Sequence, residues 1–210
     1  MREPDAESLR RLYAGAGIRP ETPEPDLASD EPVRFVADKD RQVTTTHPLS
    51  KAAFLVLGAI WPRWLAVPDL LAAARARVSA AGGRLATAED ETRLLGFLLR
   101  SYGANVTQLR SMACPFVTEI SERPRASALA RLQSRTLTEV TNLRHQSVRL
   151  EDSLVRRFLQ LLDGTRDRTA IGREMAAALR EEVHATAAPD VEKRIASTFD
   201  RVGQLGLLEA

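Results

Sequence analysis

One cysteine, Cys114, stands in 210 residues. A single thiol excludes an intrachain disulfide and any zinc site built on cysteines, so a reducing compartment is the expectation. Aromatic residues are scarce, at 5%, and aliphatic side chains must therefore fill the core. Long hydrophobic runs are missing too. The longest, "AAFLVLGAIW" (Ala52–Trp61), is about half of the ~20 residues that a membrane-spanning helix needs. The N-terminus, "MREPDAESLRRLY", carries acids and lacks the apolar core of a secretory signal. These absences predict a soluble cytoplasmic protein with no membrane partner. Lysine is confined to Lys39, Lys51 and Lys193, while arginine and alanine are abundant, a bias of composition more than a recognition surface.

Charge of one sign is lacking as well. The net charge is +2, too small to imply an electrostatic partner by itself. Residues 1–47 carry seven basic and ten acidic groups, and residues 48–210 twenty-three and eighteen. Neither imbalance approaches that of a dedicated nucleic-acid binder. Glycine-rich phosphate loops are absent: there is no GxGxxG after a strand, no GxxxxGK[ST] and no βαβ alternation. The pair Gly82–Gly83 follows a predicted helix instead of opening one. No cofactor is expected.

What is present is 44% apolar and 28% charged residues, an ordinary globular balance. Four prolines, at 20, 23, 25 and 32, punctuate an acidic stretch and predict a leader and linker over residues 1–32. Beyond it one order of elements occurs twice. "VRFVADKDRQVTT" predicts a hairpin turning at Asp38, Lys39 and Asp40. Three helices follow: one with Pro48 in its first turn, one ending at Gly82–Gly83, and one capped by Thr87 with acids at its positive end. "ANVTQLR" and "PFVTEIS" then read as strands. After a helix in "RASALARLQSR", the second copy has a hairpin, "TEVTNLR" with "SVRLED", three more helices and a last strand in "LLEA". Phe54 aligns with Phe158, and Gly103 with Gly203. A three-helix unit closed by a hairpin is the winged-helix arrangement. The fold class is thus mainly α with short β-hairpins (α+β), as tandem winged-helix-like domains over residues 33–122 and 123–210.

Chemistry-bearing clusters are thin. His47, His145 and His184 lie far apart, and Glu181 with His184 supplies only half of a carboxylate-bridged metal site. Cys114 has no assignable base. No catalytic residue and no metal ligand is assigned. For DNA binding, the third helix should present arginine, lysine, asparagine or glutamine to the major groove. It opens with Glu89, Asp90 and Glu91 in the first copy, and has Asp190, Glu192 and Asp200 among Lys193, Arg194 and Arg201 in the second. The expected wing, "RSMACP", offers one arginine. The charge pattern favours protein contact over DNA. In "TNLRHQSVRLED" (Thr141–Asp152), alternation assigns Leu143, Val148 and Leu150 to the core and turns Arg144, His145 and Arg149 outward.

The strings "TTHPLSKAA" (Thr45–Ala53), "PFVTEISERPRASALARLQ" (Pro115–Gln133), "VTNLRHQSVRLED" (Val140–Asp152) and "LLDGTRDR" (Leu161–Arg168) resemble the C-terminal half of bacterial proteins with a methyltransferase regulatory domain. That family includes protein lysine methyltransferases, and the resemblance runs from about Asp26 to the end. In it an N-terminal Rossmann domain binds S-adenosylmethionine and performs the chemistry, and the C-terminal segments help to recognise or position the substrate. This chain lacks the Rossmann half. The resemblance implies a non-enzymatic regulatory and substrate-recognition module. Its partner would be a methyltransferase catalytic chain or that enzyme's polypeptide substrate, and the alternative is a winged-helix DNA-binding regulator. Asn142, Arg144, His145, Arg149, Asp163 and Arg166 become the candidate partner-binding residues. "LLDGTRDR" also has a purely local reading: Gly164 ends one helix, and Thr165 or Asp167 caps the next. A similar joint in small winged-helix domains that bind leader peptides by strand addition suggests peptide binding at the hairpin edge.

Overall fold

A computed structural model describes residues 5–38, 41–182 and 188–209, with backbone alone at 180–182, 188–192 and 194. The chain divides into two compact units, Met1–Cys114 and Pro115–Ala210. In the first, a 3-10 turn (Ala6–Arg11) leads into β1 (Tyr13–Gly15), β2 (Ile18–Pro20), β3 (Val33–Ala37) and β4 (Gln42–Thr45). Then come α1 (Pro48–Ile60), β5 (Leu65–Ala66), α2 (Val67–Ala80), α3 (Ala88–Gly103) and β6 (Gln108–Arg110). The second unit contains β7 (Phe116–Val117), α4 (Ala128–Gln133), β8 (Glu139–Thr141) and β9 (Ser147–Arg149). It finishes with α5 (Ser153–Leu161), α6 (Arg168–Glu182), α7 (Ala188–Gln204) and β10 (Leu208–Glu209). The mixed α+β class and the duplicated order of hairpin, three helices and strand are as the patterning predicts. Within the expected 33–45 hairpin, Lys39 and Asp40 lie outside the described residues.

The helices form where apolar residues recur at helical spacing and a start signal precedes them. Pro48 and Pro68 stand at the first or second positions of α1 and α2. Thr87 and Asp90 make a reciprocal capping box on α3, each side chain bonding the other's backbone N–H. The aligned phenylalanines fill the same role in both units. Phe54 packs on Phe97 with ring centroids 5.0 Å apart, and Phe158 on Phe199 at 4.6 Å. The glycine alignment is not mirrored in packing. Gly203 faces the backbone of Thr118, whereas Gly103 faces open space.

Each unit closes its small sheet by an unexpected route. In the first, β1 runs antiparallel between β5 and β6, pairing Ala14 with both Leu65 and Leu109. In the second, Arg125 bridges Asp163 and Ala126 bridges Leu208. A segment upstream of the hairpin therefore supplies the central strand in both. Ala14 and Ala126 are fully buried there. Because β1 takes that place, β6 does not turn back into a hairpin. The expected wing in "RSMACP" is instead the passage between units, and β7 pairs with β10. "PFVTEIS", expected to close the first unit, thus belongs to the second.

The leader is likewise part of the first unit and not a separate linker. Leu9, Ala14, Ala16, Ile18 and Leu27 are buried in its core. β2 forms the edge of the β2-β3-β4 sheet with Pro20 opposite Phe35, an edge position where a missing N–H costs little. Fully buried Lys51 fastens the proline-rich stretch, its ammonium donating to the carbonyls of Asp26 (3.0 Å) and Ser29 (2.7 Å). Burial pulls the Lys51 pKa down, against the attraction of Asp26, Asp30 and Glu31.

The joint between β2 and α1 has no room to spare. A Cβ on Gly58 would stand 2.4 Å from the Ile18 carbonyl oxygen, so the Gly58→Ala variant must separate helix from strand. An overpacking loss of about 1–3 kcal/mol is expected, measurable as a lowered midpoint in urea.

Candidate functional site

The hairpin β8–β9 carries the first group of candidates. Val140 and Leu150 are buried, with Glu139, Ser147 and Arg149 exposed. Val148 and Leu143, assigned to the core by alternation, are only half-buried. The chain turns at Asn142–Gln146, where Asn142 N–H donates to the Gln146 carbonyl and His145 N–H to the Asn142 carbonyl. His145 occupies the left-handed region at φ +59°, a conformation that histidine tolerates better than branched residues.

Asn142 organises this turn from inside. It is 3% exposed. Its side-chain oxygen accepts from the N–H groups of Arg144 and Gln146, both at 3.0 Å, and its amide nitrogen donates to the Leu205 carbonyl at 2.9 Å. Leu143 N–H donates to the Gly206 carbonyl. The hairpin tip is thereby pinned to the end of α7, and Asn142 has no face left for a partner. Arg144 is half-buried, its stem running past Gly206 beside the Phe116 ring. His145 is exposed, and so is Arg149, whose Nε lies 3.4 Å from Glu151. An ion pair so open to water is worth little and leaves both groups available.

The second group forms the α5–α6 joint. Gly164 adopts φ +83° and donates its N–H to the Pro124 carbonyl. Asp163 accepts from the Thr165 hydroxyl (2.6 Å), from Thr165 N–H (2.9 Å) and from Arg166. Arg166 also donates to Glu174 at 2.9 Å. Of the two residues offered for the next cap, Asp167 serves, accepting from Ala170 N–H at 2.7 Å. The Thr165 hydroxyl, then its N–H and Arg166, hold the Asp163 carboxyl at about 2, against the opposing effect of burial. Asp163 and Arg166 thus spend their polar groups on each other and on the joint.

In the first unit the acids of α3 behave differently from their sequence appearance. Asp90, 3% exposed, accepts from both terminal nitrogens of Arg84 at 2.7 Å, from Thr87, and from His47 Nε2 at 2.9 Å. The Arg84 guanidinium foremost holds its carboxyl well below the usual range. Glu91 is enclosed between Arg10 and Arg75. Only Glu89 remains exposed, and it pairs with Arg93. Repulsion of phosphates by three leading carboxylates is therefore weaker than expected. What disfavours DNA is instead the topology: β6 pairs with β1 and does not turn back into a wing hairpin.

Among the described residues no three His, Cys, Asp or Glu side chains cluster so as to hold a metal. His184 and the side chains of Glu181, Asp190, Glu192 and Arg194 lie outside those described. No helix among the described residues is long and apolar enough to cross a membrane.

Residues 122–199 match the family described as "PKMT, C-terminal winged helix domain", a winged-helix domain of protein lysine methyltransferases. No curated protein matches the chain. Among solved structures, PKMT2 from Rickettsia typhi superposes with a TM-score of 0.77 at 18% identity, covering 99% of this chain and 44% of its own. The same protein in complex with AdoHcy gives 0.76 at 17% identity, with the same coverage. Likeness at that identity establishes a shared fold. The chain spans less than half the length of those proteins.

Two consequences are measurable. Asn142→Ala strands the Arg144 and Gln146 amides and the Leu205 carbonyl, and should cost about 2–3 kcal/mol in denaturant unfolding. His145→Ala and Arg149→Ala should each stay within about 0.5 kcal/mol. The Asp163 carboxyl titrates lower folded than unfolded, so its contribution is complete above the ordinary 3.8 and disappears as pH falls through about 2. Unfolding measured from pH 6 to pH 2 should show wild type above Asp163→Asn at the start and the gap closing at the end.

Proposed function

We propose that this chain is a non-catalytic regulatory and substrate-recognition module of an S-adenosylmethionine-dependent protein methyltransferase. It works by contact with the methyltransferase catalytic chain or with that enzyme's polypeptide substrate. The observation that carries this reading is the match of residues 122–199 to the C-terminal winged-helix domain of such enzymes. The coverage supports it: the likeness takes in nearly all of this chain and only 44% of PKMT2, which leaves more than half of that protein outside it. The hairpin supports it further. Arg149 and His145 are exposed on a rigid corner that Asn142 fixes from within, and Arg144 flanks them. Asp163 and Arg166 enter this reading as supports of the surface, since their charges are already matched.

The decisive experiment supplies the catalytic half of a methyltransferase of this family as a separate chain. Transfer of labelled methyl groups to its polypeptide substrate is followed with and without this protein. A several-fold rise in rate is expected, with most of the gain lost in the Arg144→Ala/His145→Ala/Arg149→Ala variant while its unfolding midpoint is unchanged. Calorimetric titration of this chain alone with S-adenosylmethionine should be flat. Saturable heat in that titration would overturn the non-catalytic part of the reading, and an unchanged methylation rate would overturn the rest.

A further inference from the structure

The first unit contains an open groove of about 700 Å³ between the start of α1 and the outer face of α3. Thr44, Thr46, His47 and Ser50 line it from the start of α1, Arg93, Phe97 and Arg100 from α3, and Asp30 also lies in its wall. From this we infer that the groove binds an extended acidic stretch of polypeptide, through two carboxylates about 10 Å apart. The inference rests on the polypeptide-recognition reading above and says what feature of the substrate would be recognised.

The spacing comes from α3. Arg93 and Arg100 are seven residues apart and so share a face, separated along the axis by about 10 Å at 1.5 Å per residue. An extended peptide advances about 3.3 Å per residue, so acids three positions apart match the two guanidinium groups. Phe97 lies between them, and the Arg100 guanidinium stands 6.0 Å from its ring centroid. Among the described residues Arg93 is engaged only with exposed Glu89, at 2.7 Å. An incoming carboxylate could replace so weak a partner at little cost.

The opposite wall also favours a negative group. α1 begins at Pro48 with no side-chain cap from His47, because the His47 ring is turned to Asp90 through Nε2. First-turn N–H groups at a helix start attract acceptors and anions. Ser50, in that turn, is largely buried and lines the groove. The second unit answers the same need internally. At the start of α5 the Asp152 carboxylate accepts from Leu154 N–H at 2.9 Å. The cavity there, about 100 Å³, has both Asp152 and Arg201 in its wall. What the second unit provides from its own sequence, the first takes from its ligand. Asp30 in the wall sets a limit, since its charge disfavours a third acid beside the matched pair.

The test is fluorescence anisotropy of two dye-labelled, glycine-rich peptides titrated with the whole chain. One carries two glutamates three positions apart, and the other has glutamines there. The glutamate peptide should bind saturably, and the glutamine peptide at least tenfold more weakly. Arg93→Gln/Arg100→Gln should weaken the first at least tenfold, and Ser50→Ala a few-fold, with unfolding midpoints confirming that both variants are folded. Equal binding of the two peptides, no binding of either, or insensitivity to the arginine pair would overturn the inference. So would displacement by inorganic phosphate together with indifference to the spacing of the glutamates, which would mark a single-anion site. Stimulated methyl transfer with no peptide binding would remove the groove and leave the module reading standing. Glutamate- and arginine-dependent binding without stimulation would do the reverse.

Discussion

Both units depend on a strand that the three-helix core cannot supply for itself. The short strand after the first helix and the one after the third lie one strand-width too far apart to pair. A segment from upstream of the hairpin fills the space, β1 in one unit and Arg125–Ala126 in the other. Alanine sits at the fully buried position of each inserted strand. Several features follow from this insertion. The leader must fold back and is held by Lys51, the unit boundary moves to Cys114, and β6 has no partner with which to form a wing.

Buried polar groups then fix the corners that apolar packing leaves free. Asp90 joins the α2–α3 turn to the start of α1 by gathering Arg84, Thr87 and His47 on one carboxylate. Asn142 joins the hairpin tip to the end of α7. Such groups contribute modestly when satisfied but are costly to leave half-paired. They therefore select one arrangement of the corner among several that would bury similar apolar area. The exposed side chains of the hairpin inherit that rigidity, which lowers the ordering cost of any contact they make.

What could be read from the residues alone follows the range of the interactions. The helices and the Thr87 cap rest on neighbours three or four positions apart, and periodicity and capping expose them directly. The pairing of Ala14 with Leu109 spans most of a unit and leaves no local trace, so the leader read as linker and "RSMACP" as a wing. Polar residues were legible in type but not in role. Asn142 stood among the partner-binding candidates, yet it turns inward beside Val140 because the backbone needs its amide. Val148 and Leu143 err in the other direction, since the corner at His145 breaks the alternation. The groove was illegible for a related reason: Arg93 and Arg100 meet Thr44–Ser50 only through the packing of α3 on α1.

The two units answer the same local problem in different ways, and the difference bears on how such a duplication divides its labour. A helix start facing the third helix needs an acceptor for its first-turn amides. In the second unit Asp152 satisfies it from within the chain, accepting from Leu154 N–H. In the first unit the corresponding residue, His47, is committed to Asp90, which is itself committed to holding α3 in place. The first unit thus gains a firmly built α1–α3 corner and leaves its helix start open beside two arginines. On the reading proposed above, one copy would offer a corner to a partner surface and the other a groove to a chain. Both would serve the proposed module, which is to contact an enzyme or its polypeptide substrate.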